Sequence, residues 1–159
     1  MNKIIVPVDF SDAAAASLRF AYRLAAATGL SVNAVYVYNS MVVSNLRRTP
    51  KEQQEERRVL KAQLTHFIDT QGAKYRDRVP TIAHVVEDNP PNHIKWLSQK
   101  SDTALIVMGG VGMDGNGQGD LFGGIARLVA REGGCPVVLI PPHLPPDELN
   151  YLFAATAAN

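Results

Sequence analysis

The stretch that decides the fold is Lys3-Ile4-Ile5-Val6-Pro7-Val8-Asp9-Phe10-Ser11. Its first half is a short, unbroken apolar run rich in β-branched residues. That is the pattern of a strand covered on both faces rather than alternating between core and water. Ser11 then offers an N-cap, and Ala14, Leu18, Ala21, Tyr22 and Ala25 follow at helical spacing until Gly29 stops the helix. A strand buried on both sides and followed at once by an amphipathic helix is the opening of a βαβ unit.

The same alternation continues downstream. Val32–Tyr38 is a second β-branched and aromatic run. From Pro50 to Gly72 the pattern is helical, with Leu60, Leu64, Phe67 and Ile68 as the buried stripe and Glu55 and Arg58 on the wet side. Thr81–Val86 reads as a third strand, and Pro90-Pro91 opens a helix carrying Ile94 and Leu97. Leu105–Met108 reads as a fourth strand. Leu121, Ile125, Leu128 and Val129 predict a last helix closed by Gly133-Gly134, and Pro136–Ile140 a fifth strand. Regular alternation of this kind is satisfied by right-handed crossovers and a parallel sheet, hence an α/β fold of three layers, α/β/α. In an open sheet of this type, ligands sit beyond the carboxyl ends of the strands where strand order reverses. The end of the first strand and the loop after the fourth should meet there.

Bulk properties narrow the function. The 159 residues fit one domain, and 16 Lys plus Arg against 15 Asp plus Glu leave a formal charge of +1. No basic face for nucleic acid emerges, because the cluster Arg47, Arg48 and Lys51 is answered at once by Glu52, Glu55 and Glu56. The lone Cys135 makes no internal disulfide and reads as a small buried residue rather than a nucleophile. The histidines 66, 84, 93 and 143 lie at no metal-ligand spacing. Nothing approaches the ~20 apolar residues of a membrane span, and no signal peptide precedes the first strand, so a cytoplasmic setting is expected. His93 has no conjugate residue that sequence alone can pair with it, and is expected to face solvent. Trp96 and Tyr22 are expected to pack.

Glycine is concentrated: eight of the 12 fall between Gly109 and Gly124, joining the fourth strand to the last helix. Glycines let backbone N–H groups approach a ligand, and a helix N-terminus adds unpaired donors and partial positive charge, so a phosphate suits this loop. A mobile surface loop is the competing reading. A Walker A loop is excluded by the missing Gly-Lys-Ser/Thr, and the glycines do not follow the first strand as a dinucleotide fingerprint would.

The opening Lys3–Ser11, the segment Leu105–Gly109 and the segment Cys135–Ile140 together resemble the universal stress protein family, over about residues 2 to 140. The resemblance implies an open five-stranded parallel sheet, order 3-2-1-4-5, Rossmann-like, in a domain spanning 1–140. It further implies a regulatory protein of the stress response that binds ATP or another adenine nucleotide at the switch point between strands one and four. The site residues implied are Val8, Asp9 and Val37 for adenine and ribose and the amides of Gly109, Gly112, Gly123 and Gly124 for phosphate, with Pro7 and Met108 also binding the cofactor. The family's nucleotide binders carry G-x2-G-x9-G-[S/T]. Gly109-Gly110-Val111-Gly112 matches the first half, but ten residues separate Gly112 from Gly123, and Gly124 stands where a hydroxyl belongs. Loss of one side-chain hydrogen bond costs about 0.5–1.5 kcal/mol. Asp114 and Asp120 put negative charge in the loop, either opposing phosphate or holding nucleotide-bound Mg²⁺. Asp120 can also cap the last helix itself. No other metal site is expected.

Also implied is a homodimer through the fifth strand, Val137–Ile140; from the charge balance and the short apolar runs no nucleic-acid or membrane partner is expected. The alternative is a family member without nucleotide that works as a dimeric interaction module. An enzyme is a third reading: no catalytic constellation is visible, so the chain is expected to be no enzyme, or at most a slow ATPase. Residues 141–159 read as a proline-rich linker, Pro141–Pro146, followed by an apolar tail from Tyr151 to Ala155. That tail is either an extra C-terminal strand or the remnant of a second repeat.

Overall fold

The computed structural model describes residues 1–39, 48–110, 123–141 and 143–144. Strand β1 spans Lys3–Pro7, helix α1 Asp12–Thr28, β2 Ser31–Tyr38 and helix α2 Pro50–Gly72, with a 3₁₀ turn at Ala73–Tyr75. Strand β3 spans Thr81–Glu87, α3 Pro90–Ser98, β4 Thr103–Gly109, α4 Gly124–Glu132 and β5 Val137–Ile140. All pairings are parallel, as the alternation predicts, and the order is β3-β2-β1-β4-β5, as the resemblance implies. Of the expected linker and tail, 141–159, residues 142 and 145–159 lie outside the described residues.

Alternation along the strands divides the core into two layers. Ile4, Val6, Val8, Val32, Ala34 and Val107 pack with α1 and α2, while Ile5, Val35, Ile106 and Met108 pack with Ile94 of α3 and Ala126 and Val129 of α4. Each fully buried aliphatic contributes about 1.5–3 kcal/mol, so this double-sided burial of β1 is what anchors the sheet.

The helix ends follow local chemistry. The Ser11 hydroxyl accepts from the Ala14 N–H, and Gly29, at φ +74°, closes α1 by donating to the Ala25 carbonyl. Thr49 and Glu52 form a reciprocal capping box ahead of Pro50. Of the expected α2 stripe, Leu64 and Ile68 are buried and Leu60 and Phe67 half-buried. The first ten residues of that helix, by contrast, are almost wholly exposed. Gly72 lies against Tyr22, whose ring would sit 2.3 Å from an added Cβ. Tyr22 is buried and stacks on Tyr75, as a packing residue should. Trp96 departs from expectation. It is 49% exposed, with the Lys100 ammonium 3.7 Å from its ring centre, because α3 turns this side away from its core-facing stripe of Ile94 and Leu97.

Candidate functional site

Beyond the carboxyl ends of β1 and β4 the two helix layers part and leave a cavity of about 470 Å³. Pro7, Val8 and Asp9 form its floor, Val35, Tyr36 and Val37 its β2 side, and Met108 and Gly109 its β4 side. Pro90, Pro91 and Ile94 at the start of α3 face Gly123, Gly124, Ile125 and Ala126 at the start of α4. Eight of the nine expected site residues therefore converge here. The ninth, Gly112, lies outside the described residues, as do Asp114, Asp120 and Leu121. The volume and mostly apolar walls are those of a small-molecule site.

The floor bends sharply after β1. Phe10 has φ +62°, the sole non-glycine with positive φ among the described residues. That conformation costs about 1–2 kcal/mol. Its ring packs on Tyr36 at 4.9 Å and edge-on to Phe67 at 5.4 Å, and each such aromatic contact returns about 0.5–1.5 kcal/mol. The bend brings Asp9 over Ser11, whose backbone N–H donates to Asp9 Oδ1 at 3.1 Å and whose hydroxyl donates to the same oxygen. Capping of α1 thus belongs to Ser11, and Asp9 steadies the cap with one oxygen. Its other oxygen has no partner among the described residues. Asp9 is exposed, and it is the one charged residue lining the cavity among those described.

On the β4 side, a Cβ on Gly109 would lie 2.7 Å from that of Ala13, so only glycine lets β4 end against the first turn of α1. Gly110 donates to the Ile140 carbonyl at 3.3 Å and Gly123 to the Gly110 carbonyl at 3.1 Å, which ties together the two ends of the glycine-rich stretch. The Gly123 amide, expected to face phosphate, is thereby engaged with protein. The three amides that follow are different. Gly123 gives α4 no side-chain cap, and the N–H groups of Gly124, Ile125 and Ala126 have no partner among the described residues. A helix start of this kind carries about half a positive charge.

Sequence reasoning missed one pair beside this site. His93 Nδ1 lies 2.8 Å from Asp88 Oδ2, and the His93 side chain is only 13% exposed rather than solvent-facing. This hydrogen bond holds the Asp88 carboxyl below its ordinary value. The signal was available: Asp88 immediately precedes the N-cap Asn89, so the turn folds it back over the first turn of α3. Half-burial pushes the Cys135 thiol up, in keeping with a packing role. No group of three or more His, Cys, Asp or Glu suited to a metal occurs among the described residues. Nor is any described helix long and apolar enough to cross a membrane.

Residues 1–141 match the universal stress protein family. The chain belongs to that family. No match was found among curated proteins. Among solved structures, the universal stress protein from Archaeoglobus fulgidus in complex with dAMP is 25% identical. It superposes with a TM-score of 0.59, the alignment covering 88% of this chain and 98% of that one. UspA from Lactobacillus plantarum is 23% identical at a TM-score of 0.62, covering 87% and 97%. A universal stress protein in complex with cAMP is 19% identical at 0.60, covering 89% and 97%. The last two likenesses speak to the fold.

Proposed function

We propose that this universal stress protein is a regulatory domain that holds ATP or another adenine nucleotide in the crevice between β1 and β4. The observation that carries the reading is the run of three N–H groups at the start of α4 with no partner among the described residues, opening on an apolar cavity at the switch point. The dAMP carried by the Archaeoglobus fulgidus relative supports the same ligand class. In this reading Val8, Val37 and Met108 enclose the purine. The second oxygen of Asp9 accepts a ribose hydroxyl, and the Gly124, Ile125 and Ala126 amides receive phosphate. Gly123 contributes by closing the loop onto Gly110 rather than by donating to the ligand.

Among the described residues the lining offers phosphate no lysine or arginine, and its one carboxylate, Asp9, is held by Ser11. The domain therefore binds and signals, with turnover at most slow. Mg²⁺, steadied by Asp114 or Asp120, would offset the loop's negative charge. A homodimer formed through the β5 edge completes the proposal, since an open apolar edge strand invites pairing. A second reading, a dimeric interaction module without nucleotide, is favoured by Gly124 in the hydroxyl position and by Asp9 as the one charge on the described lining.

Calorimetric titration of ATP, with and without Mg²⁺, into protein stripped of copurified nucleotide separates the two. Saturable heat supports the crevice. Silence at millimolar ligand, with no thermal shift, leaves the interaction module. With ATP bound, Asp114→Asn tightens binding if no metal takes part and weakens it if Mg²⁺ bridges the loop to the phosphates.

A further inference from the structure

The opposite edge of the sheet carries a different kind of surface. Strand β3 is outermost and pairs with β2 alone among the described residues. The Val32 N–H donates to the Pro80 carbonyl and the Asp88 N–H to the Tyr38 carbonyl, both at 2.9 Å. These two ends of the ladder set its phase: even-numbered residues of β3 bond to β2, and Thr81, Ala83 and Val85 turn their N–H and C=O groups outward. The Lys61 ammonium confirms the phase, because it reaches over from α2 and donates to the Ala83 carbonyl.

Beside this edge runs a groove of about 350 Å³ whose lining includes Gln54, Arg57, Lys61, Ala83, His84 and Val85. Arg58 also reaches it but is held by both carboxylate oxygens of Glu55. Arg57 meets no carboxylate among the described residues, and Lys61 meets only a backbone carbonyl. On the other side of the strand Ile82 is 50% exposed, the His84 side chain follows it on the same face, and Val86 packs half-buried into the α3 layer. Outward ladder groups, two uncompensated cations on one face and an apolar contact on the other make one pattern. It is the template for a strand that alternates acidic and apolar side chains.

We propose that the β3 edge receives an extended segment of a partner protein as a sixth strand, its acidic side chains meeting Arg57 and Lys61 and its apolar ones meeting Ile82. Lysines on open edges deter indiscriminate pairing. Here Lys61 deters every strand without a carboxylate: an acidic arrival draws the ammonium off the Ala83 carbonyl and frees that carbonyl for the ladder. The inference is independent of nucleotide in the crevice, which opens on the far ends of β1 and β4.

Fluorescence anisotropy of a labelled heptapeptide alternating Glu and Val, titrated with the full chain, tests it. Saturable binding is expected, weakened at least about tenfold by Arg57→Glu or Lys61→Glu, both exposed changes whose thermal midpoints stay near the parent's. A central proline in the peptide, which removes a ladder donor, should weaken binding by as much, and a Lys–Val heptapeptide should not bind. Amide exchange at Ala83 and Val85 should slow on binding. Absence of saturation up to about 1 mM peptide overturns the proposal. So does equal binding of the Lys–Val or proline peptide, or indifference to both charge reversals. Binding that emerges only after residues 145–159 are deleted would make this chain's own tail the occupant and overturn the partner.

Discussion

Two helices begin at the crevice, and they begin differently. Helix α1 is capped by its own Ser11, and Ser11 is itself held by Asp9. Helix α4 starts from Gly123 with no side-chain cap and three amides unanswered among the described residues. A cap stabilises its helix by about 1 kcal/mol, so leaving one off is a real cost in a protein of marginal stability. In the proposed reading the two ends have separate work: α1 is finished by the protein and serves as wall, while the α4 start, open among the described residues, receives the ligand.

The comparison can be broken most forcefully at the wall. Gly109→Val drives a side chain into Ala13, and a loss of about 1–3 kcal/mol is expected in thermal or urea unfolding. Unchanged stability would show that β4 and α1 have room to part. Gly124→Pro acts on the other end. Proline is well suited to the first helical position, and the preceding Gly123, at φ −52° and ψ 154°, already has the conformation that a following proline demands. Stability should hold while one N–H donor disappears, lowering nucleotide affinity about tenfold by calorimetry, or roughly 1.4 kcal/mol. Ser11→Ala removes the α1 cap and should cost about 1 kcal/mol of stability, with a smaller loss of affinity than Gly124→Pro, because Ser11 reaches the ligand only by steadying Asp9. Gly123→Ser gives α4 a side-chain cap that Gly123 cannot supply. It should raise stability by a few tenths of a kcal/mol and weaken nucleotide binding, since the new hydroxyl competes for the same amides.

The architecture was legible because its signals are local. The apolar runs at Ile4–Val8 and Val32–Tyr38, the cap at Ser11 and the stop at Gly29 each declare an element without reference to anything distant. The site's location followed from topology, which brings Pro7–Asp9 and Met108–Gly109 to one place. What stayed hidden depended on partners far along the chain. Nothing near Phe10 announces a left-handed residue, because the rings that support it come from positions 36 and 67. Gly109 reads as a phosphate glycine in sequence, yet the contact that demands it is with Ala13, almost a hundred residues away. Gly123 likewise looks free until the Gly110 carbonyl is brought beside it. The exposure of Trp96 has a local signal, Lys100 just past the end of α3, whose cation covers the outward ring.

The two halves of α2 have unequal footing. Leu64, Ile68 and Gly72 fasten its second half to the body, whereas the turns from Pro50 to Val59 rest on a capping box and the Arg48–Glu56 ion pair. Among the described residues the helix is therefore clamped at one end only, and its projecting arm is expected to open more readily than the clamped half. Amide protons along that arm should trade with solvent far sooner than those after Leu64, giving the domain a local melting step separate from its global one.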